Sequence, residues 1–257
     1  MDPHSDDVSA DPASQHHHDR RRIVRALNYS LAFVLLLAVV FSAQGSFDWR
    51  AFAIAPLSAE GLIGILTAPL LHGSVEHIAA NATALLILGT LAGSVYPRAT
   101  LWAVPLVWLG AGLGPWLMGD PGSYHLGASG LTHGLMFMIF MLGLLRRDRA
   151  AIAAGMIAFL LYGGMVLSVL PREPGVSWQA HMGGAIAGFV AALLLRRLDP
   201  ALPRKRYSWE DEEEAAEAAS QDRDELEPPK PHDVPVLWQR PDAPNRVVVP
   251  FRPRQPD

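Results

Sequence analysis

Six stretches of this 257-residue chain are almost purely apolar, and strongly polar sequence closes it at both ends. The apolar runs fall near 27–44, 75–95, 100–118, 129–145, 150–170 and 179–196. Each approaches the ~20 residues needed to cross ~30 Å of hydrocarbon. Six such runs exceed what a soluble protein of this size can bury as core helices. In lipid each must be helical, because its backbone groups have no water to bond. The pattern predicts an all-α membrane protein: a six-transmembrane-helix bundle over 23–198, with disordered polar tails at 1–22 and 199–257. The fourth run is the shortest, which suits a helix that starts below the membrane surface. In the long link 45–74, the segments 52–57 and 61–71 are apolar but too short to cross. They predict short helices along the interface, with Trp49 and Phe52 as anchors.

Charge adds direction. Arg20, Arg21, Arg22 and Arg25 precede the first run, Arg98 lies between the second and third, and Arg146, Arg147 and Arg149 between the fourth and fifth. Arg196, Arg197, Arg204, Lys205 and Arg206 follow the sixth, whereas the other loops carry only Arg50 and Arg172. The positive-inside rule then puts both termini in the cytoplasm and residues 129 and 181 at the outer ends of their spans. The first run is not expected to be a cleaved signal, since a polar leader precedes it and further spans follow. Acidic and basic residues sit mostly in the tails, so no nucleic-acid surface is expected. Without cysteine, disulfides and thiolate metal sites are excluded. His16, His17 and His18 lack a fourth ligand and read as solvated tail. The end of the chain, acidic around Glu210–Glu214 and proline-rich from Pro228, reads as disordered.

Polar side chains inside a span need a partner or a task. The set is small: Glu76, His77, Asn81, Ser129, Thr132, His133 and His181. Ser129 opens the fourth run within Gly127-Ala128-Ser129-Gly130, and His181 opens the sixth. A serine hydroxyl becomes a useful nucleophile when a base takes its proton, and histidine is the usual base. Gly184 and Gly188 follow His181 on nearly its own helix face, while Gly130 and Gly134 flank Ser129. Such small-residue notches let helices approach closely. The spacing predicts that these two helices touch, with Ser129 and His181 in hydrogen-bond reach. The bland alternative is an incidental Ser–His contact between glycine-packed helices.

His77 and Asn81, four residues apart, share a face of the second span and could donate to an oxyanion beside the Ser129 N–H; alternatively they only bridge helices. His72 lies about 140° round from His77 and is expected to brace the loop. No acid is placed to complete a triad, so a dyad is the economical reading. His133, one turn below Ser129, could stack on the His181 ring or only satisfy a buried contact. Zinc-type spacings are missing: there is no His-Glu-x-x-His, and His72-x-x-x-Glu76-His77 is one residue longer than its inverted form. No metal or cofactor is required.

The chain resembles the rhomboid family of intramembrane serine proteases over about residues 55–197. The resemblance rests on Gly127-Ala128-Ser129-Gly130, on Ala180-His181-x-x-Gly184-x-x-x-Gly188, and on His72-x-x-x-x-His77-x-x-x-Asn81. It implies a six-helix core with a water-filled cavity open to the outside. Ser129 would be the nucleophile and His181 the base, with His77, Asn81 and the Ser129 amide holding the oxyanion. Gly127, Gly130, His133, Gly184 and Gly188 would support them. The implied substrates are transmembrane segments of other proteins, cut near their outer ends, and the expected location is the inner membrane of a bacterium. The family often has a Trp-Arg pair about a dozen residues before the position of His77. Here Ile63-Gly64 falls there and Trp49-Arg50 comes earlier, so the loop is expected to be anchored differently. The family often has tyrosine at the position of His133. Two other classes compete: a non-catalytic relative that binds membrane helices, and a transporter. Relatives of the first kind typically lack the serine or the histidine. A transporter would place ionisable groups near the midplane of repeated halves.

Overall fold

The computed structural model describes residues 12–199 and 208–221. Expectations placed on 1–11, 200–207 and 222–257 lie outside the described residues. Helix α1 spans Pro12–Ala43, α2 Gly64–Thr67, α3 Val75–Val95, α4 Pro97–Met118, α5 Ser129–Arg146, α6 Arg149–Tyr162, α7 Trp178–Leu195 and α8 Ser208–Gln221. Among the described residues, six helices are long and apolar enough to cross a membrane: α1, α3, α4, α5, α6 with its 3-10 continuation, and α7. The all-α six-span architecture is therefore present. The α8 stretch belongs to a separate compact unit. It is rich in Glu and Ala, which propagate helix well.

The helices run past the apolar runs where local chemistry allows. Helix α1 starts at Pro12, so the cluster Arg20–Arg22 and Arg25 lies on helix. Pro97 opens α4 at a first-turn position where its missing N–H costs nothing. The fifth span is α-helical only to Tyr162; from Gly163-Gly164 it tightens into a 3-10 helix ending at Val169. That tightened turn carries Ser168.

Helix α7 packs against both α4 and α5, α1 lies on α3, and α5 also meets α6. Helix α5 is the most enclosed span and α1 the least. Leu88, Val107, Met136, Met138, Ile139 and Leu142 are fully buried at the centre. Leu101, Trp102, Leu160 and Leu194 point outward, as suits faces solvated by lipid.

Two-sided glycine packing sets the place of α7. A methyl group at Gly184 would strike the Gly130 carbonyl, and one at Gly188 the Gly134 carbonyl. Gly183, one residue round the helix, faces the Gly110 carbonyl of α4 in the same manner. With lipid on the outside, there is little hydrophobic drive to associate, so close backbone approach supplies the packing energy.

The link between α1 and α3 forms short helical turns at Trp49–Phe52, Glu60–Leu62, Gly64–Thr67 and Ala68–Leu70. Its anchoring is its own. Gly61 and Gly64 lie directly on the backbone of residues 53–55. The Trp116 indole donates to the Ser58 carbonyl at 3.0 Å and the Trp108 indole to the Leu66 carbonyl at 3.2 Å. Trp49 carries the Arg50 guanidinium 5.0 Å above its ring and packs edge-on against Tyr124. Phe52 remains partly exposed beside Phe47.

At the opposite, arginine-rich end, the buried Asp199 carboxylate accepts from the N–H groups of Arg98 and Ala99, at 3.0 and 2.9 Å, and so caps α4. Arg146 donates to the Asp199 carbonyl at 2.7 Å and pairs with Asp148 at 3.0 Å. Asp148 in turn caps α6 through the Ala151 N–H. The ends of α4, α5, α6 and the chain after α7 are thereby joined.

Gly184→Val should destabilise the bundle by about 1–3 kcal/mol, the range for overpacking a filled contact. Gly45→Val, where an added methyl would meet nothing within 4 Å, should be nearly neutral. Thermal unfolding of both variants in detergent checks this contrast.

Candidate active site

Ser129 is the first residue of α5, and His181 lies in the first turn of α7. The glycine contacts carry these two turns together, and the Ser129 Oγ lies 2.8 Å from His181 Nε2. The other ring nitrogen, Nδ1, is 3.0 Å from the main-chain carbonyl of Ser168. A carbonyl only accepts, so Nδ1 carries the proton and donates. In the neutral ring Nε2 is then a lone pair, and the Ser129 hydroxyl donates to it. The Ser168 carbonyl thus performs the tautomer-setting task that a carboxylate performs in a triad.

His133 stacks on His181, with ring centroids 3.8 Å apart and planes 12° from parallel. Its Nδ1 donates to the Ser129 carbonyl at 2.7 Å, which the Thr132 hydroxyl also reaches at 2.7 Å. Its Nε2 is 2.8 Å from the Ser168 hydroxyl. Of the two roles open to His133, stacking and buried hydrogen bonding, the structure has both. Ser168 therefore holds both imidazoles, one through its carbonyl and one through its side chain. Sequence reading passed over Ser168. Its signal was a hydroxyl near the same end of a span as Ser129 and His181, but nothing in its neighbours distinguished it.

Gly127 stands just before α5 with φ +110°, in the region that favours glycine. It has a second reason to be glycine. A methyl group there would lie 2.5 Å from His77 Cε1, 2.7 Å from His77 Nε2 and 3.7 Å from Asn81 Nδ2. The space beside Ser129 is thus bordered by the predicted pair on α3. Asn81 is buried, and its Nδ2 has no hydrogen-bond partner among the described residues. An unpaired buried donor calls for an explanation in what the space receives. The Gly73 N–H donates to His77 Nδ1 at 3.5 Å, a long contact that favours a proton on Nε2, facing the same space. The Ser129 N–H belongs to the first turn of α5, whose amides have no carbonyl within the helix. Glu76, beside His77, points out of the site and is exposed.

His72 braces the loop through its main chain, whose N–H and C=O both pair with the Gln44 side chain, at 3.0 and 2.9 Å. Its ring is fully buried and packs edge-on against His77. A cavity of about 200 Å³, lined by Ser168, Arg172, Glu173 and Trp178 among others, opens beside the His181 support.

Residues 59–198, more than half of the chain, match the family described as the Rhomboid domain. The chain belongs to the rhomboid family. It is 41% identical over 150 residues to an uncharacterized protein of Mycobacterium tuberculosis, covering 55% of this chain and 62% of that one. A Mycobacterium bovis protein, also uncharacterized, matches to the same extent. An uncharacterized Mycobacterium leprae protein is 40% identical over 147 residues, covering 54% of this chain and 58% of that protein. The chain thus spans about three-fifths of the length of these curated relatives. For this rhomboid, as for the family, an integral multi-pass bundle is the setting of any chemistry. It departs from the common family pattern at Ile63-Gly64. There the glycine sits against the backbone of residues 53–54, and the Trp49-Arg50 pair lies earlier in the loop, against Tyr124.

Two histidines outside the spans give the site end a pH dependence. Burial, with a smaller contribution from His77, lowers the His72 pKa to about 4. Burial also lowers that of His125, against the opposing charge of Asp120. The folded rings stay neutral where the unfolded chain, with an ordinary value of ~6.5, takes up protons. Stability is therefore unaffected by these groups above pH ~6.5 and falls as the pH drops below it. The melting temperature should be lower at pH 5 than at pH 7, with a smaller difference in His72→Gln; a pH series of thermal melts checks both.

Proposed function

We propose that this rhomboid is a serine-type endopeptidase that hydrolyses a peptide bond in or near the transmembrane segment of other membrane proteins. The observation that carries the reading is the 2.8 Å contact of Ser129 Oγ with an imidazole whose far nitrogen is committed to a carbonyl. That arrangement leaves the near nitrogen free to take the serine proton.

The steps follow from the donors available. His181 Nε2 accepts the Ser129 proton as Oγ bonds to the substrate carbonyl carbon. Negative charge develops on the former carbonyl oxygen, which the Ser129 N–H, the Asn81 amide and the His77 Nε2–H receive. The tetrahedral centre collapses, the C–N bond breaks, and the His181 imidazolium gives its proton to the leaving amine. A water then repeats the sequence on the acyl ester, with His181 again as base, and frees Ser129. A helical substrate hides its carbonyls in its own hydrogen bonds, so a segment that unwinds near its end is the suitable substrate.

The arginine distribution supports both termini lying in the cytoplasm, which puts the Ser129–His181 end at the outer face. The mycobacterial relatives support the inner membrane of a bacterium as the location. The polar segments outside 23–198 are then cytoplasmic tails.

A fluorophosphonate probe should label the purified wild-type protein, and labelling should vanish in Ser129→Ala. Folded protein that does not label would favour a helix-binding relative without catalysis. Asn81→Ala should lower kcat on a transmembrane reporter in liposomes about 10²–10³-fold with KM little changed, the usual loss for one oxyanion donor. Gly127→Ala should fold yet cleave poorly, since its methyl group would occupy the oxyanion space. Unchanged turnover in Asn81→Ala would remove that residue from the site.

A further inference from the structure

His125 lies in the loop between α4 and α5, four residues before Ser129, and Ser177 caps α7 four residues before His181. The two side chains meet: His125 Nδ1 is 2.8 Å from Ser177 Oγ. On its other side, His125 Nε2 is 3.0 Å from Ser123 Oγ. The proton positions follow from one fixed end. Ser123 Oγ is 2.6 Å from the Asp120 carbonyl, which can only accept, so the Ser123 proton is spent there. Ser123 then accepts from His125 Nε2–H, which leaves Nδ1 as a lone pair. Ser177 donates its hydroxyl proton to that lone pair and accepts, over a long 3.4 Å, from the Ala180 N–H. One directed chain of hydrogen bonds runs from the cap of α7 to the Asp120 carbonyl, with His125 at its centre.

The loop before Ser129 has other anchors, but they point elsewhere. The His125 main chain pairs with Ile54 in both directions, at 3.0 and 2.9 Å, and the Gly127 N–H donates to the Ala68 carbonyl at 2.9 Å. These bonds hold the loop to the segment before α3 and do not reach α7. Gly184 and Gly188 meet α5 below the first turn of α7; within that turn the Ala180 carbonyl faces Gly130 and the Gln179 carbonyl faces Gly114, so the His125–Ser177 contact adds a side-chain tie at the cap itself. First turns fray where capping is weak, and His181 is in that turn.

We infer that His125 is a positioning residue, tying the segment that leads into Ser129 to the cap of the helix that carries His181 and thereby setting the reach between hydroxyl and imidazole. The inference rests on the hydrolase reading above. His125 touches no reacting atom; it acts through Ser177. Misplacement of reacting groups by about 1 Å can lower a rate by up to about 10²-fold, and loosening one of several anchors should give a fraction of that.

The test uses the full chain in detergent and a fluorophosphonate probe, with the maximal labelling rate kinact separated from the probe affinity KI. Ser177→Gly breaks the bridge while remaining an acceptable cap, and His125→Ala breaks it from the other side. Each should lower kinact about tenfold with KI unchanged. The double variant should be no slower than either single one, because both remove the same link. Ser177→Thr, which keeps a hydroxyl and a cap, should label at the wild-type rate. Wild-type labelling with unchanged rates in the single variants overturns the inference alone. So do multiplicative losses in the double variant, and so does unfolding of both single variants, which would make the bridge a folding element. Wild-type protein that shows no Ser129-dependent labelling overturns the hydrolase reading, and this inference with it.

Discussion

A hydroxyl and an imidazole enclosed by membrane helices have few partners to choose from, and here they choose each other. The rest of the architecture serves to make that meeting possible. Polar groups in hydrocarbon are expensive, and each must be answered within the bundle. Helix α7 can answer Ser129 only because Gly184 and Gly188 let it lie on the carbonyls of Gly130 and Gly134. A methyl group at Gly184 or Gly188 would strike an α5 carbonyl, and one at Gly130 or Gly134 would strike Ala111 or Val107 of α4. Helix α7 is held from its other side by Gly183 against Gly110, so its position is determined from two directions.

Around that pair the polar groups form a closed account on one side and an open one on the other. His181, His133, Ser168 and Thr132 satisfy one another and the Ser129 carbonyl. The donors facing Gly127 do not: Asn81 Nδ2 is buried without a partner among the described residues. A protein would ordinarily avoid a buried donor of that kind. Its position beside the serine, with a glycine keeping the space clear, is what directs the functional reading toward acyl transfer. At the opposite end Asp199 and Arg146 join the helix ends through capping and charge.

Much of this was legible in the sequence, for a physical reason. Membrane spans must be long and apolar, so their number and approximate limits follow from hydropathy. Their few polar residues stand out against that background, which is how Ser129, His181, His77 and Asn81 could be named. Glycine spacing on a helix face predicted the α5–α7 contact. Ser168 and His125 were not legible. Their roles come from a main-chain carbonyl in a 3-10 turn and from loop hydrogen bonds, neither of which has a periodic signature. The start of α1 at Pro12 was missed too, because hydropathy marks where lipid begins and not where helix begins.

The most direct test of the central claim is a crystal structure of the purified protein after reaction with a small fluorophosphonate. The account predicts phosphorus bonded to Ser129 Oγ, with the phosphoryl oxygen facing Gly127 within hydrogen-bond distance of Asn81 Nδ2 and the Ser129 N–H, and His181 still stacked on His133. An adduct on a different residue, or a phosphoryl oxygen turned away from Asn81 with His181 displaced from Ser129, would contradict it.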